Sequence, residues 1–302
     1  MPGAIATGNH PKALWPGVKA WFGVGYGDHP EEFRDLFDTQ TSNQAWEEDV
    51  MTSGFPLAPV KREGTATTYA SHAQVYTSRY THVAYSLGYI VTFEEILNNL
   101  YEKVSNSRSK SLGFSMRQTK ENVAANVYNR AFDTSYTGGD GQVLACTTHP
   151  SAIGSQSNII TAADISETAL EDLIIAVMGA TDHMGMKIAL MAQSLHVPRQ
   201  LWFEANRILK STLQNDTANN ALNVLRTTGE FPGGIKVNHF FSDADAYFVH
   251  TNCPDGMKHY QRHKIDLEQD NDFDTKNAKA SSYDYYSFGW SDFRALFASA
   301  GA

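Results

Sequence analysis

Apolar positions along this chain recur at two spacings, and the predicted element changes where the spacing does. From Thr92 to Phe132 the spacing is helical. Thr92 and Glu95 form a capping box ahead of Ile96, Leu97, Leu100 and Val104, which predicts a first short helix. After the polar segment 105–111, Leu112, Met116, Val123, Val127, Tyr128, Ala131 and Phe132 fall on one side of a 3.6-residue period. Arg117, Lys120, Glu121 and Asn129 fall mostly on the other. The pattern predicts a helix over 106–132, about 40 Å long, ended by the run Gly138-Gly139-Asp140-Gly141. That is longer than a domain of ordinary depth needs, and we take it as the spine of the fold.

Upstream, Gly3, Gly8, Pro11, Pro16, Gly17, Gly23, Gly25 and Gly27 interrupt every would-be element, so residues 1 to about 48 read as an arm. One helical piece remains, residues 30–37, with Phe33, Leu36 and Phe37 on one face and no apolar surface of its own to meet. Residues 49–91 carry β-branched and aromatic side chains at strand frequency. They predict a long hairpin, polar on both faces in its outer part, whose return strand alternates Val83, Tyr85, Leu87, Tyr89 and Val91. With about 12 extended residues per arm it would project roughly 40 Å and leave backbone edges for water or a neighbour.

Downstream, a short strand is predicted at 143–146 and a loop at 154–158. A second capping box at 164–167 opens a helix through Leu170, Leu173, Ile174, Val177 and Met178. A core strand at 188–191 follows, then a helix from Pro198 to Lys210 and a shorter one at 220–225. Strands at 234–240 and 246–251 complete a mixed α/β unit. Strands at 257–268 and 280–290 flank a polar turn, and a last strand lies at 292–297. The class is α+β, without a fixed-period repeat.

At 302 residues the chain holds one large domain or two smaller ones and can bury a core without staples. A net charge of -9 argues against tight sequence-independent nucleic-acid binding, which needs Lys and Arg to release counterions from phosphate. Cys146 and Cys253 stand far apart, outside any metal or redox motif, and read as two reduced, partly buried thiols. The amino terminus lacks the pattern of a signal peptide. The longest apolar run, 173–178, is far short of the roughly 20 residues of a membrane span.

Candidate chemistry is thin. His259 and His263 have a metal-like i, i+4 spacing, but on a strand they would stand about 13 Å apart. Asp243 and Asp245 form a pair with no third carboxylate at useful spacing. Cys146 with His149, Asp182 and His183 has the residue types of a thiol hydrolase, without evidence of a positioned base. Glycines 138, 139 and 141 lack the Lys-Ser/Thr of a phosphate loop and read as a turn. Tyr283, Tyr285, Tyr286, Phe288 and Trp290 could stack bases, though strand packing is the simpler reading with so little basic charge nearby. We therefore expect no enzyme: no catalytic residue, no cofactor and no metal site.

The order of parts resembles the Hong Kong 97 type major capsid protein of tailed bacteriophages, and more narrowly the major head subunit of Mu-like phages and prophages. The resemblance rests on Gln118-Thr119-Lys120-Glu121, Asn129-Arg130-Ala131-Phe132, Gly139-Asp140-Gly141, Thr148-His149-Pro150 and Ser157-Asn158. It continues through Thr161-Ala162-Ala163-Asp164, Val197-Pro198, the 243–248 strand entry and the closing segment from Tyr286 to Arg294. These run in order over roughly the last two-thirds of the chain. The resemblance implies an N-terminal arm at 1–49, an extended E-loop hairpin at 50–82, a peripheral domain at 83–150 and an axial domain at 151–254. Peripheral return strands at 255–290 and a C-terminal axial strand at 291–302 complete it. It further implies a shell of pentamers and hexamers around double-stranded DNA that touches the wall weakly, in a virion assembled in the bacterial cytoplasm. Portal and scaffolding proteins, and in some relatives a decoration protein, are the implied partners; no membrane is. Residues 1–27 are too short for a scaffold, so that protein is expected to be separate or cleaved. Lys61 and Lys103 are candidates for inter-subunit cross-linking. The competing readings are an encapsulin-like nanocompartment shell and a metal- or thiol-dependent hydrolase.

Overall fold

The computed structural model describes residues 15–97, 101–214 and 221–302. Leu100, Asn220 and the side chains of Ile96, Leu97, Lys103 and Val104 lie outside the described part, as does the arm before residue 15. The described chain opens with a helix where the glycines predict none, α1 (Trp15–Gly27). The reason is close approach. A Cβ on Gly25 would sit 2.1 Å from the Lys110 carbonyl oxygen, and one on Gly113 would sit 2.4 Å from that of Phe22. Glycine costs a helix about 1 kcal/mol, but here it lets two backbones touch while Val18 and Phe22 pack against Leu112 and Met116.

The amphipathic turn α2 (Phe33–Leu36) does not seek a surface elsewhere. Phe33, Leu36 and Phe37 are buried in a core shared with Tyr128, Leu144 and Leu296 of the same chain. After β1 (Asp38–Thr41), the hairpin pairs β2 (Trp46–Thr52) with β3 (Gln74–Thr81), antiparallel from Trp46↔Thr81 to Thr52↔Gln74. Only this base is sheet. Residues 54–73 form no strand, so the predicted arms of about 12 residues shrink to 7 and 8. Thr65, Thr67, Thr68 and Tyr69 have strand-forming side chains but no apolar face to bury, and propensity without burial does not hold a strand.

β4 (Val83–Val91) leads into α3 (Phe93–Leu97), whose Glu95 N–H bonds Thr92 Oγ1 at 3.4 Å, and then α4 (Tyr101–Asn129). With 29 residues α4 is about 43 Å long. It ends well before the glycines: Ala131 N–H bonds the Tyr128 carbonyl, a tightened last turn that lets the chain leave. Its polar side is not solvated. Arg117, Lys120 and Glu121 are as buried as Met116, because α1 and α2 cover one flank of the helix and a sheet the other.

Further on, β5 (His149–Ser151) and β6 (Gly154–Gln156) form a small hairpin where a loop was predicted, while 143–146 is irregular and buried rather than a strand. α5 (Glu167–Met178) starts on Ser166, whose side chain accepts from Ala169 N–H. β7 (Ala192–Pro198) begins after the predicted 188–191 strand ends. α6 (Trp202–Lys210), α7 (Val224–Thr228), β8 (Ile235–Asn238) and β9 (Tyr247–Thr251) follow. β10 (Met257–Asn271) and β11 (Ala278–Trp290) are long antiparallel partners with an irregular stretch between Gln261 and Asp266. A 3-10 turn at 293–295 replaces the first half of the predicted last strand, and β12 (Leu296–Ser299) is its remainder.

Two four-stranded sheets result, ordered β1-β10-β11-β4 and β12-β9-β7-β8. The second is packed with α5 and α6 around Leu170, Leu173, Leu195, Val249 and Phe297. The chain crosses from the first sheet to the second at 291–295, where buried Arg294 bonds Asp292, Gln156 and the Thr181 carbonyl.

Candidate assembly surface

The residues singled out for chemistry are not brought together. His259 and His263 stay on β10, His259 wholly buried against Phe288 at 4.3 Å and His263 half in solvent beside Asp266. Burial holds His259 near pKa 3. Asp243 and Asp245 occupy an exposed turn in which Asp243 Oδ1 accepts the N–H of Asp245 and of Ala246. His149 engages both ring nitrogens, with Asp140 Oδ2 at 2.6 Å and Asn158 Oδ1 at 3.2 Å, and stacks on Phe293. The Cys146 thiol accepts a long contact from Thr148 Oγ1 at 3.8 Å. Asp182 caps a turn through the N–H groups of Met184 and Met186, and the His183 carbonyl accepts from Ala152. The hydrogen bonds of His149 and Asp182 thus go to partners other than the Cys146 thiol.

Both cysteines are free and partly buried, and burial pushes the Cys253 thiol far up. Among the described residues no group of three His, Cys, Asp or Glu side chains is placed to hold a metal ion, and no helix is long and apolar enough to cross a membrane. The aromatic set on β11 packs the strand: Tyr286 stacks on Tyr85 at 4.9 Å and Trp290 lies against Gly138, where a Cβ would strike its ring. Gly138 and Gly139 thus serve close approach, with Gly139 against Thr77 and Ser78, while Gly141 takes the positive φ of a turn. A cleft of about 640 Å³ opens here between β3, α4, the 135–139 turn and β11. Its lining holds no His, Cys, Asp or Glu.

What the molecule does present is a fixed base with a free tip. Asp49 of β2 accepts from Ser291 Oγ at 2.5 Å and from Lys258 Nζ at 2.7 Å; Ser291 in turn bonds the Tyr80 hydroxyl at 2.5 Å. This network ties both hairpin strands to β10 and to the end of β11. It was not read from the sequence, since its members lie up to 242 residues apart and each alone is an ordinary surface residue type. Beyond it, residues 55–74 are all exposed, Val60 and Tyr69 at 94 and 92 % and Leu57 at 79 %. A Val or Tyr this bare on an isolated chain loses the stabilisation its burial would bring. Sheet edge β4 adds exposed Val83, Leu87 and Ile90, and α5 adds Ile175 and Met178.

Sequence and structure comparisons agree with each other. A family model described as phage capsid protein matches residues 75–299. No curated protein matches the chain. In structure, the chain is similar to a virus-like particle from Pyrococcus furiosus at TM-score 0.59 and 11% identity, covering 95% of this chain and 99% of that one. It is similar to a Mycobacterium phage Patience chain at 0.55 and 11%, covering 99 and 92%, and to the capsid of an empty GTA particle at 0.52 and 10%, covering 89 and 88%. At such identities the likeness establishes the fold, which is the Hong Kong 97 type. Taken with the family match over most of its length, it makes this chain a member of the phage capsid protein family, a structural protein of a capsid shell.

Proposed function

We propose that copies of this chain build the icosahedral head of a tailed bacteriophage as pentamers and hexamers, in the manner of a Mu-like major head subunit, around double-stranded DNA. The observation that carries this is the hairpin loop, apolar at Leu57, Val60 and Tyr69 yet wholly exposed on a base fastened to the body. Such a loop is satisfied by a neighbour that is not its symmetric mate, and head-to-tail contacts of that kind generate rings and closed shells. Each contact is modest, but once one is made the next acts at high effective concentration.

In this reading the hairpin is the E-loop at 50–82, extended in its base to residue 46. The peripheral domain is 83–150 with 255–290, and the axial domain 151–254 with the strand at 291–302. Portal and scaffolding proteins are its partners, assembly takes place in the bacterial cytoplasm, and a decoration protein is compatible with the outer surface. The charge of -9 suits a wall past which DNA must slide, and a strong salt-dependent affinity of the free subunit for duplex DNA would count against it. Negative-stain microscopy with sedimentation of the purified protein tests the proposal. Closed shells or rings of subunits are expected, and a monomer at high concentration would overturn it. Particles loaded with protein instead of DNA or nothing would point to a nanocompartment.

A further inference from the structure

Lys120 leaves the middle of α4 toward the first sheet and ends between Gln261 of β10 and Asp284 of β11. All three are buried, at 5, 8 and 1 % exposure. The amine donates to Gln261 Oε1 and lies 3.5 Å from Asp284 Oδ2. Gln261 is oriented by its nitrogen, which donates to Asp284 Oδ1 at 2.6 Å, to the His263 carbonyl at 2.6 Å and to the Tyr285 carbonyl at 3.4 Å. Three acceptors around one nitrogen assign which end of the amide is which, so the carbonyl faces the amine. The rings of Phe33 and Tyr286, 5.2 and 4.7 Å from Nζ, close the site.

A plain ion pair would set the ammonium squarely on the carboxylate. Instead the amine sits on a carboxamide, and the carboxylate bridges the amine to the amide nitrogen. Desolvation lowers the pKa of Lys120 and raises that of Asp284, so burial works against charge on both partners.

We infer that Lys120 and Gln261 join in an intramolecular isopeptide bond, with Asp284 as proton carrier. The Nζ lone pair attacks Cδ of Gln261, and Asp284 takes a proton from Nζ and returns one to Nε2. The Cδ–Nε2 bond then breaks and ammonia leaves. One amine and one primary amide become one secondary amide and ammonia, with no change in oxidation state and no co-reactant. Fixed proximity supplies the rate advantage, and the apolar surround excludes the water that would compete. The bond would fasten the spine helix to the sheet across 141 residues of chain.

Intact mass of the denatured wild-type protein, taken from free subunits and from particles, is the test. The expected species is lighter by one ammonia, about 17 Da, and a digest contains a linked peptide pair through residues 120 and 261. K120R is expected at full mass. Wild type at full mass in both forms, with Lys120 open to an amine reagent after denaturation, overturns the proposal. So does the same deficit in K120R, which would assign the lost ammonia to an Asn or Gln elsewhere. If K120R does not fold, the wild-type peptide map decides alone. The bond at wild-type extent in D284N would remove Asp284 from the step.

Discussion

Neutral histidines stand where helices and sheets meet. His250 of β9 and His196 of β7 have ring centres 4.6 Å apart, and His250 Nε2 bonds the hydroxyl of Tyr128, which also donates to the Leu36 carbonyl. Burial holds His250 near pKa 4 and His259 near 3, and lowers His196 well below its ordinary value. Below pH about 6.5 an unfolded chain takes up these protons and the folded chain does not, so stability falls as pH drops toward 4. Glu121 works the other way. Burial raises it to about 7, so the folded chain keeps a proton that an unfolded one loses, and its contribution falls as pH rises from about 4.5 to 7. A shift like that of His250 is worth on the order of 3 kcal/mol, and three histidines outweigh one glutamate. The melting temperature is therefore expected to be lower at pH 5 than at pH 7. In thermal melts across that range, H250Q should flatten the dependence and E121Q should steepen it. An E121Q chain with a flatter acid slope would contradict the assignment.

At the scale of the element, the meeting of α1 and α4 is the informative case. By helix propensity alone, Gly25→Ala should stabilise α1 by about 1 kcal/mol. The carbonyl of Lys110 stands where that Cβ would go, so the expected result is the reverse, a loss of roughly 1–3 kcal/mol with α1 lifting from α4. Faster hydrogen exchange in 15–27 together with a lower melting temperature would record it, and a more stable protein would refute the close-approach account. The start of α5 gives a milder case: Ser166→Ala removes the acceptor for Ala169 N–H and is expected to cost about 1 kcal/mol in denaturant unfolding.

For the whole molecule, the question is which parts serve the subunit and which serve the shell. The Ser53 N–H bonds the Ala73 carbonyl at 2.9 Å, so the chain can be closed there without disturbing β2 and β3. Replacing residues 55–72 by a short turn is expected to leave the melting temperature almost unchanged, because the removed side chains are exposed, and to abolish closed shells in negative stain. Shells of normal yield from that variant would remove the loop from the assembly contact. Asp49→Asn, which weakens the network fixing the base, should lower shell yield with a smaller effect on size in sedimentation.

Periodicity found the spine, α5, α6 and the return strand β4, because each has an apolar stripe that must be buried and a span long enough to show its period; the long pair β10 and β11 was marked by the polar turn between them. The ordered motifs from Gln118 to Arg294 pointed to the family, since many short matches in sequence order are hard to meet by chance. Sequence reasoning could not tell that Arg117, Lys120 and Glu121 face inward. Their partners, Glu31, Gln261, Asp284 and the Phe33 N–H, come from segments up to 164 residues away, and a charged residue looks solvated until something covers it. Nor could it tell a glycine that breaks a helix from one that lets two helices touch. That depends on the backbone opposite, which only the folded chain supplies.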